Sequence, residues 1–129
     1  MGNNGNHRQA LGKRGEDIAC AYLQDMGHTI LERNYRSGHL EIDIISYNAD
    51  GIHFVEVKTR EKNIQAPPQE NVDIAKQKKI ARAALRYLNS VRMVRTKDIE
   101  CMFDVIAVTF GAHGATVEWF PQAFIPMYV

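Results

Sequence analysis

The spacing Asp43, twelve intervening residues, Glu56-Val57-Lys58 is the most chemically suggestive in this chain. Two carboxylates and an ammonium brought to one place suit phosphodiester hydrolysis at neutral pH. That reaction calls for a divalent cation to activate water and absorb charge on the pentavalent phosphate, and Mg²⁺ takes a few carboxylate oxygens together with waters and substrate oxygens. Lys58 lies two residues beyond Glu56, so on an extended strand it shares the same face and could orient the attacking water or offset charge on the scissile phosphate. The same spacing also arises from ion pairs on a solvated sheet face, so its meaning depends on the elements that carry it.

Residues 40–47 and 52–60 read as strands joined by the hairpin signal Asn48-Ala49-Asp50-Gly51. A two-residue loop at Ala49-Asp50, or a four-residue loop over 48–51, places Asp43 opposite Glu56. A loop centred on Asp50-Gly51 places Asp43 opposite Lys58. Either register puts the charged trio on one face and Ile42, Ile44, Val55 and Val57 on the other. Ile45 and Phe54 fall on the charged face, which is therefore expected to be partly covered, and charges held there are more often functional than charges in water. Glu41 shares that face, either as a substrate contact or as an edge carboxylate in water.

A first helix is expected over 8–26, where Leu11, Ile18, Ala19, Tyr22, Leu23 and Met26 recur at helical spacing and Gly27 supplies a stop. Glu16 falls along the edge of this apolar stripe, flanked by Gly12 and Gly15, which permit close approach of another backbone. It could add a further metal ligand, directly or through water. Between the helix and residue 40 runs a segment rich in Arg, Asn and Gly, read as a link. Residues 61–72, with Pro67-Pro68, read as a loop or lid placed to touch substrate. A second helix follows, capped by Asp73, with Ile80, Ala84, Tyr87, Leu88 and Val91 as its buried stripe; Lys76 and Gln77 reach its inner edge as accessory candidates. Strands are expected over 99–110 and 115–120 about the turn Gly111-Ala112-His113-Gly114, and an apolar tail over 124–129 is expected to dock.

The 129 residues, 45% of them apolar, suit a single domain with residues 1–7 as a flexible lead. No run approaches a membrane span, and the polar N-terminus lacks a signal-peptide core, so a soluble, cytoplasmic protein is expected. Cys20 and Cys101 lack zinc spacing and read as reduced core thiols. Net charge is +1, yet residues 58–97 hold eleven Lys and Arg against three acids. That imbalance suits a polyanion-binding face, with Arg60, Lys62, Lys78, Lys79 and Arg82 as its contacts. Asp104, among apolar neighbours, reads as a buried partner for an Arg or a backbone amide. The five histidines show no ligand spacing and read as incidental, and Trp119, Phe120 and Phe124 close the core more simply than they would stack on bases.

The strings GKRGEDIACAYLQDMGHTILERNYR, EIDII, FVEVKTR, VDIAKQKKI, MFDVIAV and QAF resemble, in order and along nearly the whole chain, the bacterial YraN-type uncharacterised protein family. That family is placed in the PD-(D/E)xK endonuclease-like superfamily and is most similar to archaeal Holliday-junction resolvases. The resemblance implies an α/β fold with a restriction-endonuclease-like αβββαβ core, a mixed central sheet flanked by helices, and Mg²⁺ or Mn²⁺ dependence. It places Glu16, Asp43, Glu56 and Lys58 on the site positions, with Lys76 and Gln77 as accessory residues. Leu40 stands where the family string reads Gly, which puts a tight backbone approach just before Asp43 in question.

The leading expectation is a Mg²⁺-dependent endonuclease-like protein acting on DNA, with branched or damaged DNA as the substrate class and a homodimer favoured if two strands are cut. The competing expectation is a nucleic-acid-binding accessory module of repair, recombination or uptake that keeps the fold without turnover. A metabolic enzyme has no nucleotide or nucleophile motif to recommend it.

Overall fold

Three consecutive antiparallel strands follow the first helix, one more than the residue pattern alone suggests. The computed structural model describes residues 4–62, 72–91 and 99–125. Its elements are α1 (Asn4–Asp25), β1 (Thr29–Ser37), β2 (Leu40–Asn48), β3 (Gly51–Glu61), α2 (Ile74–Ser90), β4 (Cys101–Gly111) and β5 (Gly114–Phe120). The five strands form one sheet in sequence order. β3 and β4 are parallel, as strands joined through a crossover helix can be, and the other neighbours are antiparallel. The architecture is α/β, a mixed sheet flanked by two helices, consistent with a restriction-endonuclease-like αβββαβ core that carries one further strand.

The segment read as a link is β1, an edge strand whose residues are exposed or half-buried throughout. With one edge and much of its surface in water, such a strand carries no clean apolar alternation. α1 starts at Asn4, so residues 4–7 belong to the helix, and His7 Nε2 lies 2.7 Å from Glu61 Oε1. Met26 falls beyond the helix end and is half exposed, outside the buried stripe. Gly27 ends the helix at φ +93, a conformation glycine adopts without a Cβ penalty.

α1 and α2 cover opposite faces. Ala19, Cys20 and Leu23 of α1 pack with Ile44, Val55, Ile106 and Val108. Ile80, Ala83, Ala84 and Tyr87 of α2 pack with Leu40, Ile42, Ile45, Ile52, Phe54 and Val105. Full burial of each large side chain here contributes about 1.5–3 kcal/mol. Val91 departs from the expected stripe: it is the C-cap of α2 and largely exposed. Both cysteines are free, and burial pushes both thiols up from their usual range.

The β2–β3 ladder runs from Asn48↔Gly51 to Ile44↔Val55, which fixes the two-residue loop Ala49-Asp50. The Asn48 side chain accepts a hydrogen bond from Asp50 N at 2.9 Å, closing the turn. Of the expected lid, residues 63–71 lie outside the described residues, as do 1–3, 92–98 (with Arg92, Arg95 and Lys97) and 126–129. Among the described residues no helix is long and apolar enough to cross a membrane.

Candidate active site

Alternation of side chains along a strand places residues i and i+2 on one face, yet at Asp43 that rule fails. Ile44 packs on the α1 side and Ile42 on the α2 side, so Ile42 does not join Ile44, Val55 and Val57 as the sequence pattern implies. β1 changes face at the same level. Arg33 pairs with Asp17 of α1 while Tyr35 packs on the α2 side, and Asn34 between them has φ +52. Beyond Ile44↔Val55 the Asp43 carboxylate takes the place of a ladder bond: its Oδ2 accepts from Val57 N at 2.8 Å. Asp43 therefore stands where β2 and β3 part, its side chain mostly buried.

Three carboxylates and a lysine follow one another across the sheet. Glu16 and Asp43 repel each other electrostatically, and Asp43 also shares a hydrogen bond with Glu56. Glu56 lies 3.5 Å from Lys76 Nζ of α2. Burial, then the charge of Glu56 and the hydrogen bond to it, push the Asp43 carboxyl up to about 7; the Val57 amide and Lys76 act against them. Burial likewise raises Glu16, opposed by a hydrogen bond from the Asn34 side chain. Glu16 reaches the site because Gly15 lies against Thr59 of β3: a Cβ at residue 15 would collide with that side chain.

Glu16 and Asp43 line one cavity of about 460 Å³ together with Arg8, Gly12, Val57, Thr59 and Arg60. The structure thus pairs Asp43 with Glu56, sets Glu16 within electrostatic reach of Asp43, and brings the expected accessory Lys76 to Glu56. Lys58, half-buried, follows Glu56 by one strand period opposite Ala107 and so shares its face. Gln77 is elsewhere, its amide donating to Val72 O at 2.7 Å at the start of α2. Glu41 pairs with Arg36 at 3.3 Å on the exposed sheet edge, which is the edge-carboxylate reading. Lys62 lines a neighbouring cavity beside His7 and Leu11. Lys78, Lys79 and Arg82 are exposed on α2, across the sheet from the cavity. Leu40 is buried against α2, and the turn before it is made by Gly38 at φ +64.

Sequence reasoning missed Arg8, Asn34 and a buried polar network at the hairpin end of the sheet. His53 Nδ1 lies 2.6 Å from Asp104 Oδ2, and His53 Nε2 lies 2.9 Å from Asn48 Oδ1. Asn48 Nδ2 is 3.2 Å from His28 Nε2, whose Nδ1 is 2.9 Å from Ser46 Oγ. Asp104 also accepts from Gln122 N at 2.8 Å and from the Trp119 indole at 3.3 Å. Asp104 is a buried structural partner, of a backbone amide as expected and of histidine instead of arginine. His28 and His53 are not incidental. The only sequence signal was Asp104 amid apolar neighbours, because its partners come from β3, from β5 and from the turn after β5.

Among the described residues, no three acid, thiol or imidazole side chains converge as a ready-made metal cage. The arrangement is a pair, Asp43 and Glu56, with Glu16 as neighbour. Such a pair suits Mg²⁺ or Mn²⁺, which use one or two protein carboxylates and otherwise water and substrate oxygens, better than a cation that needs an all-protein cage. The raised Asp43 carboxyl, hydrogen-bonded to Glu56, keeps a proton where a cation would otherwise balance the charge.

The sequence pattern of the uncharacterised protein family UPF0102 matches residues 15–108. Similar chains include a UPF0102 protein of Geobacter metallireducens, 42% identical over 92% of this chain and 94% of its own. One from Syntrophotalea carbinolica is 46% identical over 91% and 93%, and one from Bacteroides thetaiotaomicron is 38% identical over 90% and 93%.

Proposed function

The chain belongs to the uncharacterised protein family UPF0102, and from that premise and the site geometry we propose that it is a Mg²⁺- or Mn²⁺-dependent endonuclease-like hydrolase acting on DNA. The observation that carries the reading is the mostly buried Asp43–Glu56 carboxylate pair, of which Asp43 lines one cavity with Glu16, Arg8 and Arg60. Keeping two acids together at such a cost is expected of a functional site and not of a structural ion pair.

Asp43 and Glu56 would hold the cation, with Glu16 contributing directly or through water. Bound there, the cation supplies acidity to a water molecule and neutralises charge on the phosphate. Val57 N fixes one Asp43 oxygen, so the carboxylate keeps its orientation whether or not it is protonated. Lys76 orients Glu56 from the α2 side. Lys58, on the Glu56 face of β3, is the group placed to orient the nucleophilic water and to offset charge on the scissile phosphate. Arg8, Arg60 and Lys62 flank the cavity and supply cationic contacts for the strand on either side, contacts that carry no sequence information. Branched and damaged structures are the first substrates to try.

A second reading is favoured by one observation: Lys78, Lys79 and Arg82 make a basic face on α2 apart from the carboxylates. An accessory module would bind DNA through that face without turnover. Titration of Mn²⁺ and of labelled DNA into wild type and Asp43→Ala separates the two. The enzyme reading expects one Mn²⁺ per chain in wild type, lost in the variant. DNA binding equal in both proteins, with no Mn²⁺ bound by either, supports the module and overturns the enzyme.

A further inference from the structure

Paired residues of neighbouring strands lie on one face of a sheet, so Glu56, Lys58 and Arg60 share the face of their partners Val105, Ala107 and Thr109. β5 continues two of these rows, with Glu118 opposite Ala107 and Thr116 opposite Thr109. Val105 fixes the face as the α2 side, where α2 lies chiefly over β1 and β2. Farther along, the Arg60, Thr109 and Thr116 row lines an open cavity of about 660 Å³ together with Lys62 and the β4–β5 turn. Arg60 also lines the cavity of Glu16 and Asp43, so the two spaces adjoin. It stands four residues beyond Glu56, about 13 Å along the strand. Lys62 is held at the turn by its own backbone, whose N–H donates to Phe110 O at 2.8 Å. A Cβ at residue 111 would lie 3.2 Å from Lys62 Cδ, so glycine there gives the lysine stem room beside the turn. The pairing of Gly111 with Gly114 closes that turn around Ala112 and His113, and residues 112–116 are exposed.

The lining is of one chemical kind. Arginine, lysine, threonine hydroxyls and approachable backbone are the groups that contact the phosphates and sugars of nucleic acid. Reading or stacking on bases calls instead for bidentate amides or aromatic rings, and none of the cavity's described lining residues is Asn, Gln, Phe, Tyr or Trp. Its one acid, Glu118, stands in the row of Lys58, nearer the carboxylates, and leaves Arg60 and Lys62 in excess. We propose that this cavity is a strand-binding groove, holding the sugar-phosphate backbone of a nucleic-acid strand whose scissile phosphate lies at Asp43 and Glu56, an inference that rests on the endonuclease-like reading above. The basic face of α2 is then not the contact for that strand.

The test compares two lysines of equal charge and different place. Binding of a fluorescently labelled single-stranded thymidine oligonucleotide is followed by anisotropy in chelator, so that it is read without cleavage, at about 50 mM salt. The proteins are wild type, Lys62→Ala, Thr116→Asp and Lys79→Ala, with thermal unfolding as a check on the fold. A phosphate contact on a single strand carries a salt slope of about 0.7, so its loss weakens binding roughly five- to tenfold at this salt. The proposal expects that loss in Lys62→Ala, at least as much in Thr116→Asp, which sets a negative charge on the exposed part of the groove, and wild-type affinity in Lys79→Ala. In ¹⁵N NMR spectra of wild type, the oligonucleotide should shift the backbone amides of residues 109–116 and not those of 78–82. Wild-type affinity in both groove variants, or a loss confined to Lys79→Ala, would overturn the groove and leave the endonuclease-like reading standing. A wild type that binds no DNA would overturn both, and is recognised because the defect is then not confined to a variant.

Discussion

Replacing Asp43 by Asn removes one negative charge from a buried carboxylate pair while keeping its shape. The amide oxygen can still accept from Val57 N, and the amide NH₂ can donate to Glu56, as the protonated acid does. In the metal-free protein this substitution should therefore stabilise the fold. The Asp43 carboxyl rises from an ordinary value of 3.8 to about 7 on folding. A carboxyl whose folded pKa lies above its unfolded one makes the folded protein hold a proton that the unfolded chain has released, so wild-type stability falls as pH rises through the window from about 4 to 7. At roughly 1.4 kcal/mol per pH unit, that interval amounts to at most about 4 kcal/mol above pH 7. Urea unfolding followed by far-ultraviolet circular dichroism, in chelator at pH 4 to 8.5, should show Asp43→Asn more stable than wild type by about 2 to 4 kcal/mol at pH 8, with the gap closing toward pH 4. Added Mn²⁺ should stabilise wild type and not the variant. A variant no more stable than wild type at pH 8, or a gap that does not depend on pH, would refute the claim that the pair is held at a cost to stability.

Other consequences are open to direct measurement. Gly15→Ala drives a methyl group into the Thr59 side chain and should cost about 1–3 kcal/mol in urea unfolding, with most of the loss recovered by adding Thr59→Ala. Asp104→Ala leaves the His53 ring, the Gln122 amide and the Trp119 indole without their common acceptor in a fully buried place, so unfolding should show a loss of about 3 kcal/mol or more. DNA binding should weaken steeply with salt and depend little on sequence. Arg8→Ala and Arg60→Ala should each reduce the slope of log affinity against log salt by about one, as read by fluorescence anisotropy.

The central trio was legible because a hairpin converts spacing into register: a tight turn at Asn48-Ala49-Asp50-Gly51 leaves Asp43 opposite either Glu56 or Lys58, and the observed ladder selects Glu56. β4 was legible from its apolar run, β5 from the Gly111-Ala112-His113-Gly114 turn that leads into it, and Glu16 from its place at the edge of the apolar stripe of α1 beside two glycines. The resemblance to the YraN-type family is borne out by the UPF0102 match over residues 15–108 and by relatives 38–46% identical over most of the chain. β1 was not legible as a strand, because an edge strand in water has no alternation to read; only the family resemblance implied it. Ile42 was placed on the wrong face for a related reason. The pleat reversal at Asn34 and Asp43 is a property of two strands acting together, and neither sequence alone contains a glycine to announce it. The His28–Asn48–His53–Asp104 network was hidden because its members come from three strands and the turn before β1, and a histidine is informative only once its neighbour is known.

Cleavage in Mn²⁺ of labelled junction, flap, nicked and linear DNAs by wild type, Glu56→Ala and Lys58→Ala tests the central claim most directly. The account predicts that wild type cuts at least one of these structures and that both variants lose the activity by 100-fold or more, on the order expected when a metal ligand or a group facing the transition state is removed. Binding without cleavage, equal in all three proteins, would contradict it.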